Sequence, residues 1–242
     1  METRISTGSY DLNKWIYGGY EKDVITMIAG PPACGKTNFV LLACCSQAKK
    51  GNKVIFIDTE GGFSIERIKQ IVGEDYESIL KNILLLEPTN FEEQIKIFLK
   101  LSEKVMKDKV SLIIVDGMAM LYRLELGEAV KSGDSEEIKQ VNREMAKQMK
   151  MLAEIARKQK IPIIITNQVY SGFLSEEELK KGVEREVNLV GGDLFKYWSK
   201  CIIELKNANG KRKAILLKHR SLPQKEMGFI IKNEGIFKKS WI

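Results

Sequence analysis

Histidine is almost missing: the 242 residues hold one, His219. A Ser-His-Asp or Cys-His hydrolase would have to use His219 as its base. Cysteine is scarce too. Cys34, Cys44, Cys45 and Cys201 form neither a disulfide framework nor a metal-ligand spacing. They read as reduced thiols, which fits a cytoplasmic protein. No apolar run approaches the length of a transmembrane helix. The opening residues, METRISTGSYDLNKW, lack the apolar stretch of a signal peptide. Proline and glycine, 5 and 19 residues, are not clustered, and no repeat or low-complexity tract interrupts the chain. We therefore expect no flexible linker and a single α/β domain over 1–242.

Negative charge is lacking in one region only. From Lys196 onward 12 basic residues face 3 acidic ones, although the net charge of the whole is only +7. That imbalance suits a polyanionic partner. It equally suits lysines that do no more than solvate exposed strand faces.

What is present is a phosphate-binding loop. Ile28 to Phe39 reads IAGPPACGKTNF, in which Gly30, Gly35, Lys36 and Thr37 fill the pattern G-x-x-x-x-G-K-[ST]. The run before it, Val24 to Ala29, reads as a buried strand, and Asn38 to Ala48 reads as a helix. Backbone N–H groups at the helix start can then surround phosphate oxygens, aided by the helix dipole. Lys36 would reach the β- and γ-phosphates, and the Thr37 hydroxyl would ligate Mg²⁺. The implied cofactors are ATP and Mg²⁺. The nucleotide-contacting set is Gly30, Pro31, Pro32, Ala33, Cys34, Gly35, Lys36, Thr37 and Asn38.

Strand and helix signals alternate downstream. Lys53–Asp58, Ile83–Leu86, Ser111–Asp116 and Pro162–Thr166 read as strands, and 65–72, 91–107 and 135–158 as helices. Near-continuous apolar runs separated by helices predict a parallel sheet covered on both faces. Cys201–Lys206 and Lys213–Lys218 flank NANGKR, whose Asn209-Gly210 pair predicts a hairpin. Phe229–Ile231 adds a further strand. The fold class is thus α/β, a mainly parallel central sheet with antiparallel C-terminal strands. Two polar segments, Leu124–Asp134 and Tyr170–Leu189, follow strand ends and read as loops beside the ligand.

Asp116 ends an apolar strand, the place of a carboxylate that holds Mg²⁺ through water. Glu60, in DTEGGF after another strand, is placed to accept a proton from attacking water. Gln168, in TNQV, can contact the γ-phosphate or orient water. Each also has a plainer reading as a turn or capping residue.

The strings RISTGS, GPPACGKTNF, FIDTEGGFSIERI, LIIVDG, MLYR, IIITNQV, VGGDLFKYWSKCIIEL and LKHRSLP occur in that order over almost the whole chain. Together they resemble the ATPase core of the RecA-type recombinases, and most closely the short archaeal members without an N-terminal helical domain. The resemblance implies a RecA-like P-loop core, Glu60 as catalytic glutamate and Gln168 as nucleotide-sensing glutamine. It also makes 124–134 and 170–189 the two DNA-facing loops, with Arg123, Lys131 and Tyr170 as DNA contacts. Lys218 and Arg220 would act on a neighbouring subunit's nucleotide. The implied partners are single-stranded DNA, a RadA-type recombinase and further copies of the chain, with no membrane. Ser64 stands where such proteins usually carry an adenine-stacking arginine, and the second loop is rich in glutamate, which repels phosphate.

The resemblance implies a weakly hydrolysing, DNA-binding accessory of homologous recombination and repair. A protein-interaction module with structural ATP, and a KaiC-like or ring-helicase-like ATPase, are the alternatives.

Overall fold

The computed structural model describes residues 3–171, 187–189, 192–208 and 210–239. A small antiparallel ribbon, β1 (Arg4–Ile5) with β2 (Tyr20–Glu21), flanks α1 (Tyr10–Trp15). There follow β3 (Ile25–Gly30), α2 (Lys36–Ala48), β4 (Lys53–Asp58), α3 (Ile65–Val72), α4 (Tyr76–Leu80), β5 (Ile83–Leu86), α5 (Phe91–Asp108) and β6 (Val110–Asp116). Next come α6 (Met120–Ser132), α7 (Ser135–Gln159), β7 (Ile163–Ser171), β8 (Val187–Leu189) and α8 (Asp193–Trp198). The last strands are β9 (Ser199–Ala208), β10 (Lys211–Lys218), β11 (Lys225–Lys232) and β12 (Gly235–Lys238).

The main sheet runs β5-β4-β6-β7-β3-β9 in parallel, and β10, β11 and β12 continue it antiparallel. β8 pairs antiparallel with the far end of β7. Strand residues point to alternate faces. Ile25, Met27, Ala29, Ile113, Val115, Ile163 and Ile165 therefore pack against α5, α6 and α7. Ile28, Leu112, Ile114 and Ile164 pack against α2. Both sets are buried, as a parallel sheet covered on both sides requires. Each buried Ile, Leu, Val or Met among them contributes about 1.5–3 kcal/mol.

α2 is apolar all round. Phe39, Val40, Leu41, Leu42, Ala43, Cys44 and Cys45 are all buried, so the helix must be covered on every side. The sheet covers one side and α3 another. The remainder is closed by the beginning and end of the chain. Ser9 caps α1 and donates its hydroxyl to the Ile236 carbonyl at 2.6 Å. The Lys238 amide donates to Asp11 Oδ2 at 2.7 Å.

The strand and helix readings hold within a few residues, with three corrections. Leu124–Asp134 is not a loop: residues 124–132 belong to α6, which ends at Gly133 (φ 75°), and Asp134 caps α7. Gly127 and the charges Glu125, Glu128 and Lys131 hid a helix whose inner face is Leu121, Tyr122 and Ala129. Tyr122 also donates its hydroxyl to Asn142 Oδ1 of α7 at 2.6 Å. Secondly, the strand expected to end at Thr166 continues to Ser171, so Gln168 and Tyr170 lie within β7. Thirdly, of the proposed loop Tyr170–Leu189 the two ends are strand, and 172–186, including Phe173, lie outside the described residues. Asn209 is outside them too, and the described residues on either side pair, Ala208 with Lys211.

Gly127 provides a test of α6. A Cβ built there meets nothing within 4 Å. Gly127→Ala should stabilise the fold by about 0.5–1 kcal/mol, the helix-interior difference between the two residues, in urea unfolding.

Candidate nucleotide site

β3 ends at Gly30 and α2 begins at Lys36, so the loop joins a central strand to a buried helix. Gly30 has no room for a side chain: a Cβ would lie 2.6 Å from both Cys34 Sγ and the Leu205 carbonyl oxygen. Gly35 adopts φ 109°, a left-handed value that suits glycine. No side chain caps α2 at this end. Its first-turn amides are therefore left for another acceptor, and the dipole makes an anion the favoured one. Lys36 is buried, and its ammonium donates to the Gly30 and Pro31 carbonyls, both at 3.0 Å. Burial pushes the Cys34 thiol up, against the opposing charge of Lys36. Thiols of Cys45 and Cys201 are pushed up to about 12, chiefly by burial.

A cavity of about 500 Å³ opens over this loop. It is lined by Pro32, Ala33, Gly35, Lys36, Thr37 and Asn38 on one side, and by Glu60, Gln168, Arg212 and Ile231 on the others. Its size lies within the range of small-molecule pockets.

Asp116 lies at the back of the site, in register with Asp58 across β4 and β6. Its Oδ1 accepts from the Thr166 hydroxyl at 2.5 Å. Its Oδ2 is buried without a hydrogen bond. A Cβ on Gly62 would sit 3.3 Å from Thr37 Oγ1 and 3.4 Å from Asp116 Oδ2, so the two oxygens border one small space. A hard cation takes oxygen ligands and keeps water and phosphate oxygens in its shell. One hydroxyl and one orphaned carboxylate oxygen fit such an ion. Among the described residues no cluster of three His, Cys, Asp or Glu side chains can hold a metal unaided. Burial raises the Asp116 pKa, the Thr166 hydrogen bond and the nearby Thr37 hydroxyl oppose the rise, and Asp58 and Glu60 add to it.

Gln168 Nε2 donates to Glu60 Oε1 at 3.0 Å. Two residues from distant segments thus meet at the rim of the cavity. A model of the Rad51 family matches residues 2–239.

The chain belongs to the Rad51 family. It is similar to the DNA repair and recombination protein RadB of Methanobrevibacter smithii, with 40% identity over 96% of this chain and 95% of that protein. RadB proteins of Methanosphaera stadtmanae and Methanocaldococcus jannaschii are also 40% identical, over 93% of this chain and 92% and 98% of theirs.

Within this Rad51-family core the loop residues, Glu60, Gln168 and Asp116 converge. The other expected residues do not join them as a group. Arg123 is exposed in the first turns of α6 and borders a second small hollow with Glu60 and Gln168. Lys131, expected on a DNA loop, is on α6 and paired with Glu128 at 2.7 Å. The Tyr170 side chain is outside the described residues. Lys218 ends the antiparallel strand β10 at the opposite end of the sheet, and Arg220 follows it. There Lys218 donates to the Lys196 carbonyl, and Arg220 holds Glu21 and Asp23 at 3.1 and 3.0 Å. β3 alone spans about 20 Å, so neither can touch its own chain's loop. Ser64 caps α3 by accepting from the Arg67 amide.

Sequence reading missed four residues that tie the site's elements together. Asp58 accepts from the amides of Glu60 and Phe63, which shapes the DTEGGF turn. Thr59 donates to the Gly117 carbonyl at 2.8 Å. Thr166 aims Asp116 while accepting from the Gly117 amide. Arg67 donates to Asn38 Oδ1 at 2.7 Å and to the carbonyls of Lys232 and Asn233. Only Asp58, a carboxylate ending an apolar strand, carried a signal of the kind that exposed Asp116.

Because burial raises the native pKa of Asp116 above its unfolded value, its ionisation costs stability as pH rises through that interval. Asp116→Asn should raise the melting temperature of the nucleotide-free chain at pH 7 by a few degrees, with a smaller gain near pH 4. The same variant should lose the Mg²⁺-dependence of ATP binding, read by calorimetry.

Proposed function

We propose that the chain binds ATP with Mg²⁺ at the loop between β3 and α2 and hydrolyses it slowly. The bound state would set its affinity for single-stranded DNA, as an accessory to a RadA-type recombinase in DNA repair and recombination. The observation that carries this reading is the Gln168–Glu60 hydrogen bond at the rim of the loop cavity. It joins a candidate general base to the strand that leads into residues 172–186. The RadB relatives are DNA repair and recombination proteins by name, which supports the biological setting.

In the mechanism Lys36 and the amides at the α2 start hold the phosphates. Thr37 and Asp116 would hold Mg²⁺, which would neutralise negative charge on the phosphates. Thr166 keeps the Asp116 carboxylate aimed toward Thr37. Glu60 accepts a proton from water at its free carboxylate oxygen. Gln168 would donate its amide to a γ-phosphate oxygen in place of Glu60, and β7 would transmit the change. Arg123 then stands at the outer end of the same rim. Lys218 and Arg220 would meet a nucleotide only across a contact between copies, with Arg220 released from Glu21 and Asp23.

A second reading is favoured by α6. Its exposed charges are balanced, with Lys131 committed to Glu128, and a balanced surface gives little counterion release on DNA. On that reading the partner is a protein and ATP is structural.

Three substitutions separate these. Lys36→Ala should abolish measurable ATP binding. Glu60→Gln should keep ATP affinity while slowing turnover by about 100-fold or more, the usual contribution of a general base. Gln168→Ala should hydrolyse slowly and show the same single-strand affinity with ATP and ADP, in anisotropy titrations at several salt concentrations. Full partner binding by Lys36→Ala, with no salt-dependent DNA binding by the parent, would establish the second reading.

A further inference from the structure

Arg212 lies on β10 at the end of the sheet where the loop lies. In the paired strands it is opposite Asn207 of β9 and Phe229 of β11. Ala214 and Leu216, two and four residues further along, are buried against the α2 side of the sheet. By the two-residue period Arg212 shares their face, and its side chain reaches the wall of the loop cavity beside Gly35 and Ile231. Its Nε is buried and makes no hydrogen bond among the described residues. No carboxylate among the described residues pairs with it. The other arginine of the sheet's last hairpins, Arg220, has two such partners.

This placement is electrostatically unfavourable for the protein alone. A cation at a helix N-terminus opposes the dipole. Here the uncapped start of α2, Lys36 and Arg212 bring positive potential into one cavity. Among the described residues Glu60 is the only carboxylate that lines it, at the opposite wall with Gln168. A buried polar group without a partner costs free energy, and arginine's planar fork matches phosphate oxygens. The arrangement is one that an entering polyanion would relieve.

We infer that Arg212 is a phosphate-binding residue of this chain's own nucleotide site, supplied by the β9–β10 hairpin to the phosphate chain of a nucleoside di- or triphosphate. This deepens the nucleotide reading above and rests on it. The hairpin thereby becomes part of the site, on the side of α2 away from Glu60 and Gln168. Its position depends on β10 register, so nucleotide and hairpin stabilise one another.

The test is calorimetry of the full chain with ATP, ADP and AMP, together with thermal unfolding, for the parent, Arg212→Gln and Arg212→Lys. Arg212→Gln should weaken ATP and ADP binding at least tenfold, and Arg212→Lys should recover part of that loss. The nucleotide-free melting temperature should not fall in Arg212→Gln, because a poorly compensated charge has been removed. A melting temperature that falls together with the affinity, and that Arg212→Lys fails to restore, would reassign Arg212 to packing and overturn the inference. Unchanged ATP and ADP affinity in Arg212→Gln, with normal binding by the parent, would overturn it while leaving the nucleotide site intact. A parent chain that binds no nucleotide, tested beside Lys36→Ala, would overturn both.

Discussion

A helix that is apolar on every side has no solvent face, and α2 imposes that condition on the rest of the molecule. The sheet, α3, the first helix and the last strand are all arranged around it. The phosphate loop is the sole connection between this enclosed helix and the central strand β3. Its shape is consequently fixed from both ends, and Gly30 is pressed between Cys34 and the Leu205 carbonyl. A rigid ring of amides is what an anion site requires, since binding then costs little reorganisation. The core is thus the reason the loop can be preorganised.

Around that fixed loop the polar groups form connected layers. Asp58 shapes the turn that carries Glu60, and Thr59 ties the turn to Gly117. Thr166 spans from Gly117 to Asp116, and Asp116 faces Thr37. Three strand ends are therefore stitched together by short side chains directly below the cavity. Movement of one carboxyl end of the sheet cannot be independent of the others. Arg67 makes a second stitch, from Asn38 at the base of α2 to the turn between β11 and β12. It stands three residues after Ser64, whose hydroxyl is used in capping α3. This stretch is thus employed in holding elements together.

Much of this was legible in the sequence, for physical reasons that differ from place to place. The parallel strands were visible because burial on both faces demands unbroken apolar runs, as in SLIIVD and PIIIT. The phosphate loop was visible because glycine spacing and the Lys-Thr pair are dictated by the ligand. α6 was not visible: its inner face is three residues, and Gly127 with alternating charges resembles a solvent loop. The true end of β7 was also hidden, because TNQV is polar where the strand leaves the core. The two-sided closure of α2 by distant segments depends on single hydrogen bonds, such as Ser9 to Ile236, which leave no periodic trace. Arg212 was counted only within a basic tail, since composition cannot distinguish a lysine in solvent from an arginine turned inward.

β10 runs from the cavity at Arg212 to the opposite pole at Lys218, with Ala214 and Leu216 in the core between them. Side-chain direction reverses at each residue, so a one-step slip would push both apolar groups into water. It would also swing the guanidinium outward and offer Lys211 or Lys213 in its place. The small hydrophobic residues in the middle of this strand therefore act as an alignment key. They determine which cation is presented at the cavity end of the strand, while the register shift between Leu216 and Lys218 uncouples the other end from that choice.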